Sequence, residues 1–319
     1  MERILIDGLS FSLPLFIMAI GGIYSEKSGI TNLALEGLQG FGAFTGALAA
    51  VLAAGWFADG SQAPFYLAMV FAVLGGMAYS LLHGLLCIRF KANQVISGVV
   101  INILAMALTA FLTKYMNRTV FGAASDKFVL GVSPRITVPA LSQIPVLGAV
   151  FTDVYPFEAI IILVAAAAWY VMYKTRYGMN LRACGENPHA VDAAGLDVGR
   201  IRLIAVMVSG GLSGLAGISF AYSISANFSS SIYVGYGYLA IAGLIFGNWA
   251  ILPTLGSCLL FGFARSGGYY LVQRMQMPSS YSDLVMTLPY VVTLLLLMFF
   301  SRYNRAPKAL GEIYDKGKR

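Results

Sequence analysis

The chain has 319 residues, of which 58% are hydrophobic and 11% are charged, and its mean hydropathy is +0.76. Because a soluble domain carries roughly 25% charged residues, a chain so poor in charge cannot cover a surface that faces water. The composition leaves no room for a soluble catalytic domain. The net charge of +7 does not indicate nucleic-acid binding, since the basic residues gather in a few loops and at the C-terminus, as membrane topology requires.

Nine apolar runs approach the length of about 20 residues that a helix needs to cross a bilayer. They predict an all-α membrane protein, a polytopic bundle of about nine transmembrane helices (eight to ten), with a single membrane domain over residues 1–319. The predicted spans are 4–23, 33–55, 64–88, 94–116, 156–173, 201–223, 231–247, 251–272 and 284–301. The first run lacks a small-residue cleavage site, which indicates a retained helix. The glycine-rich run 231–247 is either a short span or a re-entrant segment.

Polar side chains are expensive in lipid, so polar and aromatic residues in or beside the predicted spans mark candidates for a translocation path. Amides recognise uncharged polar ligands, and aromatic rings stack on a nucleobase or a sugar. The candidates are Asn32, Glu36, Asn93, Gln94, Ser97, Asn102, Asn227, Phe228, Tyr236 and Tyr238. Structural roles stay open for all of them, because amides also join helices, a carboxylate also binds backbone groups, and aromatic residues also form interfacial belts.

The distribution of Lys and Arg predicts the orientation of the chain. One orientation places most of them inside, including Arg200 and Arg202, with the N-terminus outside and the C-terminus in the cytoplasm. Residues 117–155 then form the one long outside loop, which either lies on the membrane, meets an extracellular partner or simply connects two spans. Residues 174–200 form an inside loop.

The inside loop contains signals for a short helix. Asn187 is a capping residue, Pro188 suits the first turn, and Gly195 supplies a C-terminal stop after an alanine-rich stretch. A helix of about two turns is marginal in water by itself. We therefore expect it to dock, either on loops of this chain or on a separate cytoplasmic subunit.

Several other features favour structural roles. Gly210 and Gly214 have the small-xxx-small spacing of close helix contacts, and His83 is alone in an apolar helix. Arg265 either pairs with Glu36, snorkels to the interface or faces a partner. No phosphate-binding G-x-x-x-x-G-K-[ST] motif occurs, and the cysteines at 87, 184 and 258 have no metal-site or disulfide pattern.

Several segments, in order along nearly the whole chain, resemble one family of membrane proteins. The most diagnostic are SEKSGITNLALEGLQGFGAF and GENPHAVDAAGLDVGRIRLIAVMVSGGLSGLAG. They resemble permeases of ATP-binding cassette (ABC) importers of the branched-chain amino acid, simple sugar and nucleoside group. The closing APKALGEIYDKGKR is most similar to nucleoside-type members.

The resemblance implies a type II-like ABC importer permease in a bacterial inner or plasma membrane. It implies a second and related permease subunit, cytoplasmic ATPase subunits that hold ATP and Mg²⁺, and an extracytoplasmic solute-binding protein or lipoprotein. This chain itself would hold no cofactor or metal and would not be an enzyme. The resemblance places the ATPase-coupling helix on Glu186, Asn187, Pro188, Ala193, Ala194 and Gly195.

The scarcity of charge in the spans favours a small neutral polar solute. Nucleosides are expected first, with simple sugars and branched-chain amino acids as alternatives. A different class, the ion-coupled secondary transporter, usually needs ionisable residues inside the membrane, and this chain has few.

Overall fold

The structure is a computed structural model, and it describes residues 2–58, 60–131, 135–139, 142–143, 148, 151–231, 234–276, 278, 281, 284, 287–291, 295, 298 and 304–317. These residues form α-helices and one pair of two-residue strands. The helices are α1 Glu2–Lys27, α2 Leu35–Ala54, α3 Ala63–Gly84, α4 Gln94–Thr119, α5 Pro156–Lys174, α6 Arg176–Glu186, α7 Pro188–Ala193, α8 Val198–Ile224, α9 Tyr236–Phe246 and α10 Ile251–Arg274. The strands are β1 Phe128–Val129 and β2 Asn227–Phe228, and a π-helical turn at Leu85–Arg89 continues α3.

Six helices in the described part of the chain are long and apolar enough to cross a membrane: α1, α2, α3 with its π turn, α4, α5 and α8. They coincide with the first six predicted spans. The seventh predicted span contains only α9, whose 11 residues extend about 16 Å, well short of a hydrocarbon core of about 30 Å. The eighth corresponds to α10, and 284–301 lies largely outside the described residues. The prediction of a helical membrane protein is confirmed, whereas the count of nine spans is not.

α1 and α8 form the centre of the bundle. Their most apolar stretches are 72% and 78% buried, against 28% for α4. Close contact depends on glycine: a methyl group at Gly214 would lie 2.1 Å from the Ala72 carbonyl oxygen, and one at Gly210 would lie 2.3 Å from that of Gly76. The predicted packing role of Gly210 and Gly214 is therefore confirmed. α4 sits at the periphery and presents an apolar face outward, as a lipid-facing or partner-facing helix does.

α9 is a half-length helix, and the described residues before it, 225–231 and 234–235, are not helical. It begins after Gly235, whose φ of +95° is a left-handed conformation that glycine adopts without strain. Further back, β2 pairs with β1 of the 117–155 loop, with Phe228 opposite Phe128. Phe44 of α2 packs against both rings at about 6 Å between centroids. This long-range pairing fixes the chain just before the predicted seventh span.

The two predicted loops lie on opposite sides of the bundle, because α5 runs from one to the other. The C-terminal segment 304–317 shares the side of the 174–200 loop, since the Ala309 N–H donates to the Gly185 carbonyl at 2.8 Å. The end of α1 is on this side as well, where Gly311 N–H donates to the Gly29 carbonyl. The beginning of α1 and segment 304–317 therefore lie on opposite sides.

Candidate coupling face and translocation path

Capping side chains divide the 174–200 loop into two helices. The Thr175 hydroxyl accepts a hydrogen bond from the Gly178 N–H and begins α6. The Asn187 side chain accepts from the Ala190 N–H at 3.1 Å and begins α7, with Pro188 in the first turn as predicted. α6 was not predicted from the sequence, although the hydroxyl of a threonine such as Thr175 can cap the start of a helix.

Gly195 ends α7 as predicted. Its φ is +82°, and its N–H donates to the Asp192 carbonyl while the Leu196 N–H donates to that of Val191. These are the two hydrogen bonds of a Schellman motif, which satisfies the last carbonyls of a helix. Apart from its chain neighbours, no described residue has an atom within 4 Å of where a Cβ would stand at Gly195. The requirement for glycine is therefore conformational rather than steric.

One face of α7 docks on this chain and the other is open. Of the coupling candidates, Pro188 is buried, as is Val191 on the same face. The exposed candidates are Glu186, Asn187, Ala193, Ala194 and Gly195. A stretch of small side chains at 193–195 is thus presented to the surroundings. The arrangement leaves a surface on which a separate subunit can pack closely.

Behind α7 lies a buried basic residue that the sequence analysis counted only among the inner positive charges. Arg202 is 3% exposed, and its Nε donates to the Ser28 carbonyl at 3.0 Å. Beside it, burial raises the pKa of the Cys184 thiol, and the Arg202 guanidinium acts in the opposite direction. The sequence gives no sign that Arg202 is buried and Arg200 is exposed, because both lie in the same basic stretch, only two residues apart.

Three of the predicted path residues meet at one polar junction where α2, α4 and α9 come together. Glu36 Oε2 accepts from the Gly235 N–H at 2.8 Å. Asn102 Oδ1 accepts from the Gly37 N–H at 2.7 Å, and its Nδ2 donates to the Tyr238 hydroxyl at 3.3 Å. Glu36 and Asn102 are partly exposed and Tyr238 is 47% exposed, so the junction is open. Asn102 lies about 12 Å along α4 from its first residue, within the apolar helix Gln94–Thr119.

The other path candidates are placed in structural positions. Asn93 caps α4, and the fully buried Asn32 donates to Ser209 Oγ. Gln94 and Ser97 are buried partners of the Thr31 N–H and of His83. Asn227 and Phe228 form β2, and Tyr236 is buried against Phe11 and Phe220. These residues make their contacts elsewhere in the chain, and the structure does not bring them to the junction; the buried Gln94 Nε2 has no hydrogen-bond partner among the described residues.

The glycines at the start of α9 belong to the junction, although the sequence analysis did not select them. A methyl group at Gly237 would lie within 2.6 Å of the Glu36 backbone. Absence of a side chain therefore lets the start of α9 approach α2. Arg265, for which three roles were left open, lies over the Phe11 ring at 4.4 Å and near Tyr269 at 5.0 Å, and among the described residues it forms no ion pair with Glu36.

The chain is similar to curated bacterial permeases over nearly its whole length. It is 38% identical to the guanosine ABC transporter permease protein NupQ of Bacillus subtilis, covering 98% of this chain and 96% of that protein. It is also 38% identical to the nucleoside ABC transporter permease protein NupC of Lactococcus lactis, covering 100% and 98%. A more distant relative, at 25% identity over 95% of this chain and 82% of that protein, is the guanosine permease NupP of Bacillus subtilis.

The fold matches that of a solved metal-chelate type ABC transporter in an inward-facing conformation. The TM-score is 0.51 at 16% identity, with 93% of this chain and 85% of that chain covered, which indicates a shared fold. Residues 4–297 match the family model described as branched-chain amino acid transport system / permease component. The chain is therefore a multi-pass membrane transport subunit rather than an enzyme, and it belongs to the branched-chain amino acid transport system / permease component family.

Proposed function

We propose that this chain is a permease subunit of an ATP-driven importer that moves nucleosides into the bacterial cytoplasm. The observation that carries the proposal is the 38% identity, over almost the entire chain, to permeases named for guanosine and for nucleosides. A nucleoside is neutral, with polar edges and an aromatic face, and it suits a membrane domain that is poor in charge.

The proposed path passes the polar junction. The exposed Tyr238 hydroxyl accepts from Asn102 and still has a proton to donate, and the Glu36 carboxylate offers acceptor oxygens beside it. Donor and acceptor groups in one place suit the hydroxyl and amino groups of a nucleoside. Because the junction is open at the side of a single chain, a second permease would complete the path.

The second permease is proposed to be a related and different chain. Bacillus subtilis has two guanosine permeases, NupQ and NupP, that are both similar to this chain. The proposed assembly also contains ATPase subunits that hold ATP and Mg²⁺, and an extracytoplasmic solute-binding protein or lipoprotein that delivers the substrate.

The ATPase subunits would dock on the exposed face of α7. We place the 174–200 loop and segment 304–317 in the cytoplasm, and the start of α1 and the 117–155 loop outside, because most basic residues then lie inside. ATP would drive the switch of the permease pair by binding one state of the assembly better than the other.

Uptake in the host that makes this chain tests the proposal. Deleting the chain should abolish ATP-dependent uptake of labelled guanosine, and supplying it again should restore uptake. Unlabelled adenosine should compete, while ribose and leucine should not. Loss of ribose or leucine uptake in place of guanosine uptake would favour the other members of the family. Uptake that survives ATP depletion but stops when a proton or sodium gradient is collapsed would favour a secondary transporter and refute the proposal.

A further inference from the structure

The C-terminal segment 304–317 packs across the side of the bundle that carries α6 and α7. Ala309 is only 3% exposed, and its N–H donates to the Gly185 carbonyl near the end of α6 at 2.8 Å. The Gly311 N–H donates to the Gly29 carbonyl beyond the end of α1 at 3.1 Å. A φ of +81° at Gly311 turns the backbone so that this contact forms without strain. The segment is therefore a built part of this face.

Arg202 of α8 bonds the C-terminal segment to the connection between α1 and α2. Its Nε donates to the Ser28 carbonyl at 3.0 Å, and its Nη1 donates to the Glu312 carbonyl at 3.3 Å. Among the described residues it forms no ion pair, and its Cζ lies 6.0 Å from the centre of the Tyr314 ring. A guanidinium presents its donors in a rigid fork, so one side chain holds two separate backbone stretches; a lysine cannot reproduce that geometry.

Two side chains of the same segment reach α7. Lys316 Nζ lies 3.3 Å from Asp192 Oδ1, and the Tyr314 ring packs on His189 with centroids 5.2 Å apart. His189 and Asp192 are three residues apart and therefore share one face of α7. Because a six-residue helix has little stability of its own, these contacts help to set where α7 lies.

The connection 28–34 leads from these contacts to the polar junction. Its first residues, Ser28 and Gly29, are held by Arg202 and by the Gly311 N–H. Near its end, the Leu33 carbonyl accepts from Asn102 Nδ2 at 2.8 Å. A continuous series of bonded elements therefore runs from α7 through segment 304–317 and the connection to the junction at α2 and α4. Such a series can carry coupling between two distant sites when its elements have two discrete arrangements.

We propose that Arg202 and segment 304–317 are positioning elements of the coupling machinery, which hold α7 in place for the ATPase and pass its displacement to the polar junction. This inference rests on the proposed function. An ATPase that displaces α7 would then also displace the connection before α2, instead of bending a short helix alone.

A matched pair of arginine substitutions tests the role of Arg202. Arg202→Gln is compared with Arg200→Gln, whose side chain is 84% exposed. The complete complex is reconstituted in liposomes. Two quantities are measured: the amount of nucleoside moved per ATP hydrolysed, and the stimulation of ATPase activity by loaded binding protein. Arg202→Gln should lower both quantities at least tenfold, and Arg202→Lys should not restore them. Arg200→Gln should match the wild type. Equal values for all three variants and the wild type would refute the role of Arg202.

A charge exchange tests the contact with α7 without disturbing the buried arginine. Lys316→Asp should lower binding-protein stimulation by about two- to fivefold, the upper part of the range for an exposed ion pair. Adding Asp192→Lys should restore it, because the pair is formed again with reversed charges. The amount of ATPase that co-purifies should stay constant. If the Arg202→Gln complex fails to assemble, the charge exchange still tests the positioning role. That role would be refuted if Lys316→Asp equals the wild type, or if the double variant with Asp192→Lys stays impaired.

The two proposals fail in different ways. A wild-type complex that contains no ATPase subunit would refute the proposed function. A wild-type complex that transports nucleosides, with every variant equal to it, would refute the role of segment 304–317 alone.

Discussion

Glu36 and Gly235, which are 199 residues apart in the chain, are joined by a 2.8 Å hydrogen bond from the Gly235 N–H to the Glu36 carboxylate. The bond connects the start of α2 to the start of the half-length α9. A helix begins with N–H groups that have no partner in the helix, and a negative side chain there is favourable. Glu36 thus compensates for a helix start placed within the bundle.

Replacing Glu36 by alanine should lower both stability and transport. The N–H groups at the start of α9 would lose a charged acceptor, which costs about 1.5–3 kcal/mol. Thermal unfolding in detergent and nucleoside uptake would measure the two effects, and Glu36→Gln should lie between alanine and wild type. Asp126→Asn, on an exposed side chain of the 117–155 loop, is the control and should change neither quantity. Unchanged uptake in Glu36→Ala would remove this residue from the path.

Gly195→Val should leave the permease inserted but uncouple transport from ATP hydrolysis. A side chain in the left-handed conformation costs roughly 1–2 kcal/mol, and the branched group would also project from the face of α7. Gly256→Val is the matched control, since Gly256 also has no neighbouring atom within 4 Å but its φ is not in the left-handed range.

Ala193→Glu places a charge on the same exposed face and should act in the same way. Both variants are checked by binding-protein-stimulated ATPase activity in proteoliposomes. Normal stimulation in both would show that the ATPase docks elsewhere.

Gly214→Ala should destabilise the bundle because the added methyl group would stand 2.1 Å from the Ala72 carbonyl oxygen. Overpacking of this kind costs typically 1–3 kcal/mol. The temperature of unfolding in detergent should fall for Gly214→Ala and stay near the wild-type value for Gly267→Ala, where no atom lies within 4 Å. An unfolding temperature of Gly214→Ala equal to that of the wild type would mean that α3 and α8 separate easily at this contact.

Cys184 should resist alkylation by maleimides at neutral and moderately alkaline pH. The reactive species is the thiolate, and burial raises the pKa of this thiol, so the neutral form persists to higher pH than in an exposed cysteine. The side chain is also fully buried. Mass spectrometry should find Cys184 modified in the denatured chain only. Rapid modification of the folded protein would show that α6 opens readily on its side of the bundle.

Local signals along the chain were sufficient for much of the fold and for one part of the site. Hydropathy predicted the six long helices, because the cost of placing charge in lipid acts on each segment independently. The cap at Asn187 and the stop at Gly195 predicted α7, since both depend on residues within one turn. Resemblance, rather than these local patterns, then connected α7 with an ATPase.

Tertiary structure decided which polar residues come together. Asn32 and Glu36 share a helix face by spacing alone, yet one is buried on Ser209 and the other binds the start of α9. Arg200 and Arg202 are equally basic in sequence, but only Arg202 is enclosed by carbonyls from distant segments. The start of α9 likewise binds Glu36, and the chain before it pairs with β1, both remote in the sequence. Such choices depend on which helices become neighbours, and hydropathy or capping at one position carries no information about a partner two hundred residues away.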